Sequence, residues 1–493
     1  MIKKTLLSAL LGLFCIGSTY AGGILTNTNQ SARFARLFAL ESMTNAADAA
    51  YYNPAGTIKL SEGFHFTFSN QSAFQERRIT STFPLVNNGQ PKLYKGTASA
   101  PIIPSLQGVY RKGKWALSGN LAIVGGGGKA TFNDGLPMFE VPISTLPAKL
   151  NATFADAASK LPPGMLPTDA GFHAEGYSLN QYMTGTNYIF GGQIGGAYEI
   201  NKMFSVYGGF RLNIVHNKYE GHLKDLKLGI TAQNLTALGI PNSNGELTNP
   251  SPIFHFAETL PAGILDEETK TLLALPAKAA ADGAYLDSKQ SGWGVAPIIG
   301  VNFSYAGLNI GAKYEFKTAL EIENKTTKDD TGQFGNGVNT AHDVPALLAV
   351  GASYDIIDPL TVSIGYHHFF DKSAGMAENK QEYLTGGTNE YLFGAEWRID
   401  KMFLISMGGQ ITRYGLADKF QSDLSFSVNS YSLGFGGAVN VSKNVQINVG
   451  YFYTDYSDYK LTEMVEIGTN QIPNQKTYTR KNKVFAAGVD FSF

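Results

Sequence analysis

The stretch that decides the fold is the C-terminal one, Val484-Phe485-Ala486-Ala487-Gly488-Val489-Asp490-Phe491-Ser492-Phe493. Side chains alternate across a strand. Phe485, Ala487, Val489, Phe491 and Phe493 therefore share one face, and Val484, Ala486, Gly488, Asp490 and Ser492 share the other. One face is greasy and the other is small or polar. A soluble edge strand would bury the greasy face in a core. A transmembrane barrel strand turns it to lipid and lines the lumen with the other.

The same alternation recurs upstream. Val206, Gly208, Phe210, Leu212 and Ile214 oppose Ser205, Tyr207, Gly209, Arg211 and Asn213. Leu308, Ile310, Ala312, Tyr314 and Phe316 oppose Asn309, Gly311, Lys313, Glu315 and Lys317. Leu360 to His367 and Val445 to Thr454 repeat the pattern. Fourteen candidate strands follow, near 63–75, 102–111, 114–124, 187–200, 203–219, 288–304, 307–322, 342–355, 359–370, 388–399, 402–416, 424–440, 444–458 and 480–493. Their connections alternate. Lys112-Gly113, Asn201-Lys202, Asp358-Pro359 and Asp400-Lys401 are short; 76–101, 125–186, 220–287, 371–387 and 459–479 are long. Tight turns at one end and long loops at the other mark an outer-membrane barrel. A closed barrel also leaves no unpaired strand edge in lipid. The expected fold class is all-β, a 14-stranded antiparallel transmembrane β-barrel over residues 63–493. Its terminal aromatics, Phe491 and Phe493, are the candidate signal to the barrel assembly machinery. Ser144 to Leu161 and Glu258 to Ala281 carry apolar residues at helical spacing, so the two longest loops are expected to be partly helical.

Composition agrees. Charged residues make up 16% of the 493, against about 25% in soluble proteins. Aromatics reach 12% and there are 55 glycines. Mean hydropathy is only -0.10. A helical membrane protein needs spans of about 20 apolar residues, and none follows the N-terminus. The balance of 39 Lys+Arg against 40 Asp+Glu excludes a strongly basic nucleic-acid binder. Met1 to Lys4 is a basic n-region, Thr5 to Gly17 an apolar h-region, and Thr19-Tyr20-Ala21 a cleavage site before Gly22, so residues 1–21 read as a signal peptide. The only cysteine, Cys15, lies inside it. A mature chain without cysteine excludes disulfides, thiol catalysis and Cys-based metal sites.

Residues 22–62 are not strand-like. Ser31 to Leu40 is helix-prone, Asn45 to Ala50 is rich in Ala, and Asn53-Pro54-Ala55-Gly56 is a turn. Small and aromatic content argues for burial, and the nearest volume is the lumen, so this segment is the expected plug. Tyr51-Tyr52-Asn53-Pro54-Ala55-Gly56 resembles the hatch signature of the FadL/TodX outer-membrane transporters of hydrophobic compounds. Val344-Pro345-Ala346-Leu347-Leu348-Ala349-Val350-Gly351-Ala352-Ser353-Tyr354 is similar to a strand pattern frequent in that family. The resemblance covers the mature chain in its order of plug, fourteen strands, helical outer loops and terminal Phe. It implies a monomeric barrel plugged from the periplasmic side by an N-terminal hatch. It also implies passive uptake of long-chain fatty acids or aromatic hydrocarbons, without a cofactor or an energy-coupling box. Its best short signature is Asn53, Pro54 and Ala55; Phe34 and Phe38, in the helix-prone stretch, are further plug candidates.

Chemistry-bearing residues are few. A hydrophobic ligand costs about 25 cal/mol per Å² to keep in water, so it needs an apolar path with a polar group for its head. On the strand phasing Arg211, Lys313, Glu315, Lys317, Glu396, Arg398 and Asp490 face the lumen, and Arg211, Lys313 and Lys317 are the candidates for an anionic head group. The competing reading makes these charges an ion-pair network that holds plug to wall. His367 and His368 alternate across a strand and cannot share a metal ion. No HExxH, GxSxG or P-loop motif occurs, and Gly125 to Gly128 reads as a flexible strand end. An enzyme is not expected. The expected partners are a hydrophobic small molecule, outer-membrane lipid and the assembly machinery. The alternative function is a general aqueous diffusion porin, which predicts an open lumen; an outer-membrane hydrolase and an adhesin barrel are weaker readings.

Overall fold

In the computed structural model, residues 24–160, 170–260, 267–468 and 470–493 are described. The expected leader, with Cys15, lies outside them. The strands are β1 (Gly63–Thr82), β2 (Lys92–Lys112), β3 (Trp115–Phe132), β4 (Gly171–Glu199), β5 (Phe204–Gln233), β6 (Ser243–Thr248), β7 (Ala284–Tyr305), β8 (Leu308–Glu315), β9 (Glu321–Asp329), β10 (Asn339–Ala341), β11 (Leu347–Ile357), β12 (Leu360–Phe369), β13 (Thr388–Arg398), β14 (Phe403–Arg413), β15 (Ser430–Ser442), β16 (Val445–Tyr456), β17 (Tyr459–Ile467) and β18 (Asn470–Ser492). They form one antiparallel sheet that closes on itself. β8 and β9 are halves of one wall strand, and β10 and β11 halves of the next. β6 pairs with the end of β5 and β17 with the start of β18. Fourteen wall strands remain, as the alternation predicts. Closure runs from His65↔Ser492 to Thr82↔Gln475. Phe493 N–H donates to the Phe64 carbonyl at 2.8 Å, and Phe64 N–H donates back at 3.1 Å. The terminal aromatic thus sits at the seam.

The outward faces are apolar. Phe64, Phe66, Phe68 and Phe74 of β1, Leu117 and Leu121 of β3, Leu433 and Phe435 of β15, and Phe485 of β18 are all exposed. Soluble monomers rarely expose apolar patches beyond a few hundred Å². On β1 the outward phenylalanines span Phe64 to Phe74, a length that fits the roughly 9–11 residues of a tilted membrane strand. Above it the outer face turns charged, with Lys95 and Arg78 both paired to Glu76 at 2.7 and 2.9 Å. This is a membrane-embedded barrel.

The strands run further than the alternation indicates. Much of 76–101, 125–186 and 220–287, read as loops, is strand: β1 reaches Thr82, β4 starts at Gly171 and β5 reaches Gln233. Above the lipid the outward face turns polar and apolar residues such as Ile79, Tyr94 and Leu228 sit on the buried inward face, so the lipid-facing pattern ends while the backbone ladder continues. The outer loops carry helices α3 (Pro137–Ser144), α4 (Leu146–Lys160), α5 (Ser251–Thr259) and α6 (Glu267–Ala280). Leu146, Leu150, Phe254 and Leu273 cluster with Leu226, Leu228 and Ile230 of β5, so the helices cover the outer extension of the wall. Before the barrel, α1 (Phe34–Leu37), α2 (Ala49–Tyr52) and a 3-10 turn (Pro54–Lys59) belong to the N-terminal segment.

Candidate functional site

The lumen is the candidate site, and residues 24–62 lie across it. They are almost wholly buried, and their polar bonds reach most of the way around the wall. Asn29 Nδ2 donates to Gln71 of β1 (3.0 Å), Gln107 of β2 donates to the Gln30 carbonyl (3.1 Å), and Asn120 of β3 donates to Gln30 Oε1 (2.9 Å). Gln193 of β4 donates to the Ala50 carbonyl (2.9 Å) and Ser205 of β5 to that of Ala55 (2.7 Å). On the opposite side the Arg36 guanidinium donates to Glu396 of β13 (2.6 Å), Ser406 of β14 (2.7 Å) and Asn448 of β16 (2.9 Å). His367 of β12 sits 2.8 Å from both Glu41 and Glu390. Buried charges are tolerated when paired and hydrogen-bonded, and each of these is.

The wall admits the segment because its inner face carries glycines. A methyl group at Gly311 would stand 2.0 Å from the Glu41 carbonyl oxygen, and one at Gly408 2.2 Å from that of Leu37. The high glycine content seen in the sequence thus serves close backbone approach. Asn53 lies at the wall: Oδ1 accepts from Gly56 N–H at 3.2 Å, capping the 3-10 turn, while Nδ2 donates to Asn302 of β7 at 2.8 Å. Pro54 packs on Gly300. Phe34 packs on Phe38 and Tyr52 at 4.9 and 5.9 Å, and Phe38 on Phe452 of β16 at 5.4 Å.

Of the three candidate head-group cations, two come together. Arg211 of β5 and Lys313 of β8 both pair with Glu315, at 2.6 and 2.7 Å. Lys313 also donates to the Tyr51 carbonyl (2.6 Å) and lies 3.7 Å from the Tyr51 ring centre. Arg211 further donates to Gln193 at 2.6 Å. Glu315 therefore pairs with both cations, so neither is left without a carboxylate contact. Lys317 is a correction. The wall strand breaks after Glu315 and resumes at Glu321, so the alternation that placed Lys317 beside Lys313 is lost. It is exposed and pairs with Asp343 at 2.9 Å. Arg398 is also outside the lumen, donating to the Asp358 carbonyl at the short-turn rim. Glu396 is the partner of Arg36, and Asp490 accepts from Thr67 and Asn448 at 2.6 and 2.8 Å.

Gly125 to Gly128 is not a strand end either. It sits inside β3, where the strand leaves its neighbour. The β2–β3 ladder stops at Ser99↔Lys129 and resumes at Ser105↔Ala122. On β2 the gap contains Pro101 and Pro104, which lack the ladder N–H. On β3 Gly126 and Gly128 take φ of 91° and 75°, conformations that side chains rarely adopt. Asn27 N–H donates to the Val124 carbonyl at 2.8 Å, and its side chain donates to that of Gly126 at 3.0 Å. The bend thus carries β3 inward onto the start of the N-terminal segment, while Ile102 of β2 projects outward at 73% exposure. β2 and β3 are unpaired from each other at this height. Pro within a strand was the available sequence signal.

Two spaces remain. One of about 20 Å³ lies beside Arg211 and Glu315, with Val124, Ala296, Val344 and Phe369 as its apolar side. The other, about 1010 Å³, is an open cleft among the outer loops, lined by Asn87, Lys92, Glu140, His173 and Tyr177. Glu140 in its floor accepts from Lys92, Tyr94 and Tyr177 at 2.6 to 2.8 Å.

The fold matches that of a Pseudomonas aeruginosa FadL homologue, with a TM-score of 0.61 over 96% of this chain and 100% of that one. The FadL/TodX barrel is the fold of this chain. The Pseudomonas putida toluene transporter TodX matches at 0.53 over 96% and 99%. Identities are 11% and 13%, so the likeness to FadL and TodX is one of fold. No family model and no curated protein sequence matches.

Proposed function

We propose that this protein is a passive outer-membrane channel for hydrophobic molecules, in which residues 24–62 act as a hatch. The observation that carries this reading is the pairing of a closed lumen with an interrupted wall. The segment is bonded around the barrel, and the space beside Arg211 is about 20 Å³, roughly the room for one water molecule. A hydrated sugar is larger than that space. Beside the hatch, the β2–β3 ladder is missing over 100–104 and 123–128, next to lipid. A hydrophobic molecule leaving there never returns to water, which spares about 25 cal/mol per Å² of its apolar surface. The fold shared with a toluene transporter supports the same reading. The leader at residues 1–21, the terminal Phe493 and the lipid-facing belt support an outer-membrane location reached through the assembly machinery.

The test is uptake by proteoliposomes. The protein should pass a labelled hydrophobic compound while failing to swell liposomes in sugars. Rapid swelling with small sugars would restore the aqueous porin. Restoring ladder donors and side chains at the gap, with Pro101→Val and Gly126→Val, should lower hydrophobic uptake without opening the lumen.

A further inference from the structure

We infer that the outward face of β5, β7 and β9 holds the phosphates of an outer-leaflet glycolipid, on a row formed by Lys218, Lys289 and Lys325. The inference is independent of what the lumen carries. Lys218 of β5 is directly opposite Lys289 of β7, and Lys289 is directly opposite Lys325 of β9. Three ammonium groups thus stand side by side on adjacent strands. Like charges directly opposite one another in a sheet are destabilising. The side chains point away from the lumen, since their chain neighbours Asn217, Ser288, Gln290 and Asn324 are the buried ones. No contact inside the barrel accounts for them.

The acids around the row leave it uncancelled. Glu220 is taken by Lys218 at 2.6 Å. Asp287 stands directly opposite Lys328. Glu321 and Glu323 lie on the lipid side of Lys325, with Glu323 opposite Ser291. Among the described residues neither forms an ion pair with Lys289 or Lys325. Lys289 and Lys325 are both exposed. The arrangement on β18 is the reverse: Lys481 lies in register between Glu76 of β1 and Asp455 of β16.

The row sits at the height of a lipid headgroup. On β5 the outward residues Phe204, Val206, Phe210, Leu212 and Ile214 are apolar and exposed, and Trp293 of β7, directly opposite Ile214, is 69% exposed. Lys218 and Lys289 follow four residues further out, with His216 and Ser291 between. Four residues of strand are about 13 Å, and a tilt of about 45° leaves about 9 Å of that along the membrane normal. Lysine stems reach back toward the apolar belt. The headgroup layer adds about 5–7 Å to each side of the hydrocarbon core, so the ammonium groups fall within it. Adjacent strands are about 4.8 Å apart, so the row covers about 10 Å. That length suits a headgroup with two phosphates on a disaccharide better than a lipid with one phosphate. The acyl chains of such a lipid would lie on Trp293 and Ile214.

The experiment measures retention of diphosphoryl lipid A, and of the same lipid with its phosphates removed, by the purified full-length barrel in detergent. Wild type should hold the diphosphorylated lipid at least about tenfold more tightly, the value of one or two charge-assisted bonds. Lys289→Gln with Lys325→Gln should erase that difference, and Lys481→Gln should leave it unchanged. Equal retention of the two lipids by wild type would overturn the inference without needing any variant. Retention of phosphatidylglycerol as tight as that of diphosphoryl lipid A would overturn it too, and so would displacement of the lipid by excess inorganic phosphate, which would make the row a site for small anions. Loss of the preference in EDTA would mean that Glu321 and Glu323 hold the lipid through a divalent cation, and the lysine row falls. A preference that survives in the double variant removes the row in the same way. Should the double variant fail to show a heat-modifiable barrel, Lys289→Gln alone is read instead. Sugar swelling and hydrophobic uptake are measured separately, so failure here leaves the channel reading intact.

Discussion

The inner and outer halves of the lumen treat buried charge in opposite ways. In the inner half Arg36 meets Glu396, His367 meets Glu41 and Glu390, and Arg211 and Lys313 share Glu315. In the outer half Arg77 and Arg480 face each other with Phe426 between them and, among the described residues, no acid paired to either. The difference lies in what holds the chain together. Charges paired within the chain hold one part of the protein against another. Charges left without an acid carry the cost of their burial.

The largest effect expected from breaking this arrangement is on the hatch. Deleting residues 31–50 removes the Arg36 and Glu41 tethers and the volume they hold, and should sharply raise sugar permeability in liposome swelling. Unchanged sugar permeability would sink the hatch reading. Next comes Glu315→Ala. It strands Arg211 and Lys313, and removing one partner of a buried pair costs about 3–5 kcal/mol, to be read as a lower unfolding temperature. The outer half should answer with the reverse sign. Arg77→Gln with Arg480→Gln removes a repulsion and should leave stability unchanged or raise it by about 1 kcal/mol. A loss as large as that of Glu315→Ala would mean that the two halves do not differ. The smallest effect belongs to Lys317→Ala. Its pair with Asp343 is solvent-exposed on the lysine side, and such pairs are worth about 0–1 kcal/mol; hydrophobic uptake should not change.

Assembly offers a separate check on the seam. Without Phe493 the bonds to Phe64 are lost, and the amount of heat-modifiable barrel in the outer membrane should fall sharply. A normal level would show that the terminal aromatic is dispensable for closure.

The period-2 pattern made the wall readable. Phe485, Val206 and Leu308 could be assigned a face because lipid on one side and the filled lumen on the other impose different chemistry on alternate residues. The helical spacing of Leu146 and Leu150 was readable for the same reason, since α4 covers an apolar surface. Strand ends above the lipid were not, because the outward face there is polar and the buried face, with Ile79, Tyr94 and Leu228, is the inward one, so the lipid-facing pattern stops before the strand does. Lys317 was misplaced because alternation counts residues and cannot see that the strand stops at Glu315.

The sequence alone therefore determined the class of molecule: a strand-built, lipid-facing chain with a compact N-terminal segment and a handful of inward charges. Only the tertiary structure decided what each charge does. Arg211, Arg36, Arg77 and Arg480 look alike along the chain, and an ion pair between Arg36 and Glu396 leaves no local trace. Coulomb energy depends on separation in space and on the surrounding medium, and both are set by closure of the sheet around residues distant in sequence.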